Sequence, residues 1–213
     1  RPPRGAAPNA GPRSDKNVFE SVRLASVPAG TFGPYVSDTK AGGVALWAQA
    51  SEKGAAWFGV GFDARGLPRL PATRLANAPS EVGLAVVEPA LGGFALFSTH
   101  KDSGRTSLDS LELDLTGRAK SAPITLTAVG GEVVWIDLIS TGSGALALWG
   151  VKGQEGADLF AALLGRERVE PKPFAKGARA WQAAAFGTGA AVGVVLAGPK
   201  DASGGRVALQ TLD

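Results

Sequence analysis

The chain contains one histidine, His100, and no cysteine. These two counts settle much of the available chemistry. Disulfides, thiolate metal sites and cysteine nucleophiles are excluded. A metal centre built from several histidines is excluded as well. A Ser-His mechanism has a single base available, His100, followed by Lys101 and Asp102. A triad also needs a nucleophilic serine and an orienting carboxylate. Asp102 supplies the second, but the chain has no Gly-x-Ser-x-Gly elbow to present the first. His100 therefore reads as a histidine at a strand end, kept with Arg179 and Trp181 as a candidate ligand contact.

Other motifs weaken once their context is read. Ser37-Asp38-Thr39-Lys40 matches Ser-x-x-Lys, which needs a helical turn to bring the amine to the hydroxyl. Here it precedes Gly42-Gly43, where a strand ends. Residues 187–193 have one residue too many for the dinucleotide fingerprint Gly-x-Gly-x-x-Gly and no strand-to-helix context. Asp63 and Asp114 lack the alternating oxygen ligands of a calcium loop and read as turn formers. No metal site and no cofactor is expected.

The net charge of +3 is a property of one end. Residues 1–16 carry Arg1, Arg4, Arg13 and Lys16 against Asp15, and the remainder is neutral. A neutral body without a basic block is a poor nucleic-acid binder, because phosphate neutralisation dominates that affinity. No apolar run reaches the roughly 18 residues of a membrane-spanning helix. Residues 1–17 contain Pro2, Pro3, Pro8 and Pro12 with no hydrophobic period, which predicts an extended basic tether. The chain has no methionine, even at position 1, which points to processing or trimming.

The elements that must position these residues are short strands. Apolar runs of about five to nine residues are separated by turn chemistry every 8–12 residues, an all-β pattern. The strands also repeat. Residues 42–47 (Gly-Gly-Val-Ala-Leu-Trp), 92–97 (Gly-Gly-Phe-Ala-Leu-Phe) and 144–149 (Gly-Ala-Leu-Ala-Leu-Trp) share one pattern, with a fainter copy at 189–195. The first two copies close on Phe62-Asp63-Ala64-Arg65-Gly66 and Leu113-Asp114-Leu115-Thr116-Gly117. On this alignment Trp47, Phe97 and Trp149 hold equivalent places, which predicts packing between neighbouring repeats.

Four strands fall in each period. The first are 31–37, 82–88, 132–139 and 181–187; the second are 43–50, 93–100, 145–151 and 190–197. The third are 55–63, 105–114, 157–164 and 205–212; the fourth are 71–77, 121–127 and 170–176. The missing fourth strand is supplied by residues 18–24, whose Leu24 precedes Leu75 by one repeat. Radial arrays of four-stranded sheets have blades of about 40–50 residues. The expectation is a β-propeller over residues 18–213, with four blades of four antiparallel strands and the N-terminal strand closing the last blade. The alternative is half of a larger ring, completed by a second copy or a partner.

The order of apolar strand, Gly-Gly, strand ending in Trp, polar turn and Asp-x-x-Gly resembles the repeat of secreted bacterial β-propellers. The third and fourth copies depart from it. The resemblance implies a fold, an extracytoplasmic setting (periplasmic, cell-surface or secreted) and an interaction role; it brings no catalytic residue. The expected function is a non-enzymatic protein–protein interaction module or accessory subunit. A carbohydrate-, ion- or small-ligand-binding propeller is the alternative, and a hydrolase comes third. The turns between third and fourth strands gather Arg65, Arg69, Arg118, Lys120, Arg166 and Arg168 into a basic rim. That rim is the candidate partner-binding face, suited to an acidic protein.

Overall fold

A computed structural model describes residues 23–51, 54–78, 82–102, 104–141, 144–164, 173–186, 189–196 and 206–212. The described residues form an all-β protein of three antiparallel sheets. Sheet 1 runs β1 (Phe32–Thr39), β2 (Gly42–Ser51), β3 (Gly54–Asp63) and β4 (Thr73–Ala78). Sheet 2 runs β5 (Val82–Ala90), β6 (Gly93–Asp102), β7 (Arg105–Leu113) and β8 (Ile124–Val129). Sheet 3 has six strands in chain order: β9 (Val133–Thr141), β10 (Gly144–Lys152), β11 (Ala157–Leu163), β12 (Ala175–Phe186), β13 (Gly189–Leu196) and β14 (Arg206–Leu212).

Local chemistry explains the strand ends. Asp63 Oδ1 accepts the backbone N–H groups of Arg65 and Leu67, both at 2.9 Å. Asp114 Oδ1 does the same for Thr116 at 2.8 Å and Arg118 at 3.0 Å. Each turn then places a glycine at positive φ, Gly66 at 80° and Gly117 at 78°, a region that side chains with a Cβ avoid.

The spatial repeat is 51 residues. The hairpins Thr39↔Gly42, Ala90↔Gly93 and Thr141↔Gly144 occupy the same place in their sheets. The sequence motif aligns Trp47 with Phe97 at a spacing of 50, one short of this repeat. A slip of one residue turns a side chain to the other face of its sheet. Phe97 consequently faces sheet 3, whereas Trp47 faces away from sheet 2, and the residue matching Trp47 and Trp149 in sheet 2 is Ser98.

The sheets pack in series. Val44, Leu46 and Trp57 of sheet 1 meet Phe94, Leu96, Leu111 and Leu113 of sheet 2. The other face of sheet 2, with Phe97 and Leu108, meets Leu138, Ala147 and Trp149 of sheet 3. A third cluster joins Leu146, Leu148 and Leu159 to Ala190, Val192 and Val194 within sheet 3. Gly59 and Gly61 of β3 leave room for the Thr116–Gly117 turn of sheet 2. Gly61 N–H donates to Thr116 O at 3.0 Å, and a Cβ at Gly61 would sit 2.5 Å from the Thr116 carbonyl carbon.

This arrangement overturns the four-bladed propeller. A ring requires four separate blades, and the described residues form three sheets of four, four and six strands, stacked in a sandwich-like series with none closed. Where they are described, the segments expected as 170–176 and 181–187 run together in one strand: β12 pairs with β11 at its start and with β13 along the rest. The physical reason is a missing turn. Gly177, at φ 65°, is the sole glycine between Ala175 and Phe186, so it bends the strand without ending it. The expected closure also fails at its described end. Leu24 packs against the Trp47 face of sheet 1, and β14 pairs with β13 alone among the described residues. The tether at 1–17 lies outside the described residues.

Candidate docking surface

The outer face of sheet 1 is built from alternate residues of its strands: Val36 on β1, Ala45 and Trp47 on β2, Phe58 and Val60 on β3. Trp47 and Phe58 are cross-strand partners with rings stacked at 6.1 Å and 10°. Sheet 3 contains the same pair one repeat pair later. Trp149 and Phe160 are cross-strand partners stacked at 5.6 Å and 8°. Phe97 of sheet 2 roofs Trp149 at a ring distance of 6.3 Å.

No sheet roofs Trp47 among the described residues. Leu24 and Ala25 pack on it instead and leave Trp47 only 6% exposed. Beside them lies a groove of about 510 Å³, lined by Leu24, Val27, Pro28, Val36, Ala45 and Trp47. Val36 is 57% exposed there. The indole Nε1 of Trp47 is buried without a hydrogen-bond partner, as is that of Trp149. The orphaned N–H thus belongs to the position in the sheet and carries no separate signal for a ligand.

The basic rim is divided by the structure. Arg69 Nη2 donates to Ala41 O at 2.6 Å, and Lys120 Nζ donates to Leu91 O at 3.2 Å. These two cations tie the turn after the third strand to the first hairpin of the same sheet. Arg65 is exposed, with its Nε 3.5 Å from Asp63 Oδ2. Arg118 contributes its backbone N–H to the Asp114 turn. Arg166 and Arg168 lie outside the described residues.

His100 Nδ1 lies 2.6 Å from Asp109 Oδ2, and the Thr125 hydroxyl donates to Asp109 Oδ1 at 2.7 Å. The Asp109 contact is close enough for a charge pair but lacks hydrogen-bond alignment. Among the described side chains, the carboxylate beside the histidine is Asp109; the Asp102 side chain, the expected partner, lies outside them. The pairing His100↔Ser107 places Asp109 diagonally across the hairpin, a relation visible once the register of the Lys101–Arg105 turn is drawn. No hydrogen bond joins Ser98 or Ser107 to His100 among the described residues. Trp181 leans on Trp135 at 5.6 Å beside the cluster within sheet 3, and Arg179 beside it is exposed. The structure does not bring His100, Arg179 and Trp181 to one cavity among those lined by described residues.

Two carboxyls on the first strands of sheets 2 and 3 stand out electrostatically. Burial, reinforced by the negative charges of Asp137 and Asp38, holds Glu88 above its ordinary range. Burial does the same to Asp137, against a hydrogen bond from the Leu138 N–H. The described residues contain no group of three or more His, Asp or Glu placed to hold a metal ion. None of their helices is long and apolar enough to cross a membrane.

Neither a protein-family model, nor a curated protein, nor a solved structure matches this chain.

Proposed function

We propose that this chain is a non-enzymatic protein-interaction module that docks a partner on the outer face of sheet 1. One observation carries the reading: the Trp47–Phe58 pair repeats the Trp149–Phe160 pair, and the second is roofed by a neighbouring sheet while the first is covered by Leu24 and Ala25 beside a groove whose Val27 and Val36 are about half exposed. Apolar surface of this kind, flanked by a half-exposed valine, marks protein contact sites. Rigid strands hold it, so little order has to be gained on binding.

The test is a photo-crosslinking residue in place of Val36, irradiated in extract from the native source. Protein adducts of discrete mass, lost when glutamate stands at the exposed groove residue Val27, support the reading. Absence of any adduct, together with a melting temperature that rises with a saccharide panel, overturns it in favour of ligand binding.

A further inference from the structure

We propose that the groove beside Trp47 takes the apolar carboxyl end of a partner chain, with the terminal carboxylate on Arg23. This inference rests on the docking reading above and names the chemistry of its partner.

Arg23 is the sole charged residue in the lining of the groove. It is exposed, and its guanidinium makes no hydrogen bond or ion pair among the described residues. The next two residues, Leu24 and Ala25, pack on the cluster of Ala45, Trp47 and Val60, which holds the Arg23 backbone beside the apolar lining. Within that lining Ala45 and Trp47 are buried, whereas Val27 and Val36 are half-exposed. The groove thus offers one free cation next to uncovered apolar surface.

Its walls are formed in advance. The Thr31 hydroxyl donates to Pro28 O at 2.8 Å and ties the loop that leads into β1. Pro28 and Pro34 both line the groove, and their rings fix φ. Little order therefore has to be gained on binding. The volume of about 510 Å³ falls among sites of roughly 300–1,000 Å³ that hold a small ligand. It admits a few side chains of an extended segment, not a folded domain.

An occupant has to meet both features. An acidic surface would answer Arg23 and leave Val27 and Val36 in water. A neutral apolar segment would cover the valines and strip water from the guanidinium without replacing it, which costs free energy. A chain end answers both with one residue, because its carboxylate and its last side chain leave the same Cα. The guanidinium fork matches a carboxylate with two parallel hydrogen bonds. Capture of terminal carboxylates is a recurring mode of peptide recognition. No carboxylate in the groove lining competes for Arg23.

The experiment uses the purified full chain and two tetrapeptides of alanine, leucine, phenylalanine and valine in that order, with a fluorophore at the amino end. One ends in a free carboxylate and the other in an amide. Anisotropy is expected to show the acid binding about tenfold tighter, the size of one hydrogen-bonded charge contact. Arg23→Gln brings the acid down to the amide and leaves the amide unchanged, and Val27→Glu weakens both. Both positions are exposed, and circular dichroism checks that the β signal is retained. Equal binding of acid and amide overturns the proposal. So does an acid unaffected by Arg23→Gln, or the failure of both peptides to bind at millimolar concentration. An amidated peptide with a glutamate before the valine that matches the acid assigns Arg23 to a side-chain carboxylate and overturns the chain end. The crosslink at position 36 separates this proposal from the docking reading. If it captures a protein through an internal peptide, and equally so in the Arg23→Gln chain, the chain end is wrong and the docking reading stands. If it captures nothing while the acid binds through Arg23, the carboxylate site stands and the docking reading fails. If neither occurs, both fail.

Discussion

Trp47 and Trp149 stand two repeats apart at the same place in their sheets, each stacked on a phenylalanine of the next strand. Phe97 and the rest of sheet 2 seal Trp149, whereas Trp47 borders a groove. Truncation therefore has unequal effects. Trp149→Ala costs about 3–5 kcal/mol, the range for a large aromatic removed from a closed core. Trp47→Ala costs somewhat less: at 6% exposure it loses nearly as much buried surface, but water can enter the space left beside the groove. Urea unfolding of the two variants checks this; equal losses would refute the distinction between a sealed and an unsealed face.

Gly61 is the seat of the Thr116–Gly117 turn. A methyl group there meets backbone atoms that no rotamer change can move. Gly61→Ala is expected to destabilise by about 1–3 kcal/mol, as overpacking does. Gly66→Ala has open space around its Cβ and acts through its positive φ alone, so its loss is smaller. Thermal melts of the pair separate crowding from strain.

Thr99 replaces a missing ladder bond. Its buried hydroxyl oxygen accepts the Leu84 N–H at 2.8 Å where the β5–β6 register shifts. Thr99→Val keeps the shape and strands that N–H. The expected cost is about 1–3 kcal/mol, the penalty for an unsatisfied buried donor. Faster amide exchange at Leu84, with exchange at Leu96 unchanged, is the accompanying signature; no change at Leu84 would contradict the assignment.

Acid acts on the carboxyls in two directions. Glu88 has a raised folded-state affinity for its proton, so its contribution is present below its ordinary value of 4.5 and is lost as pH rises through the folded value. Glu88→Gln should therefore stabilise the fold near pH 7 by about a few tenths of a kcal/mol for a half-buried group, read as a small rise in melting temperature. The gain should vanish in acid. Asp114 behaves oppositely: burial raises it, but the hydrogen bonds from Thr116 and Arg118 prevail and hold it low. Its contribution is present above its ordinary value of 3.8 and is lost as pH falls through the folded value. Asp114→Asn should flatten that acid limb. Melting curves from pH 3 to pH 7 test both signs.

Strand positions were readable from the chain, because turn residues and apolar runs are local signals. The second strand expected at 93–100 is β6 at Gly93–Asp102, and the third expected at 55–63 is β3 at Gly54–Asp63. The Asp63 and Asp114 turns were readable for the same reason. Three things were not. The facing of Phe97 depends on a one-residue difference in repeat length, which similar motifs conceal. The merger of two expected strands into β12 depends on a turn that the residues between Ala175 and Phe186 do not make. The Val36–Trp47 groove depends on which sheet lies opposite, a matter of tertiary packing. Asp109 was within reach, since the hairpin register alone brings it diagonal to His100.

Because β12 bonds β11 at one end and β13 along the other, the last two repeats share a single load path. Force applied at the C-terminus peels β14 and β13 in turn and then bears on a strand that also anchors the third repeat. The C-terminal half therefore comes apart strand by strand down to β12, where the third and fourth repeats are one piece, while sheets 1 and 2 share no strand and hold each other through their common core and the Gly61–Thr116 hydrogen bond.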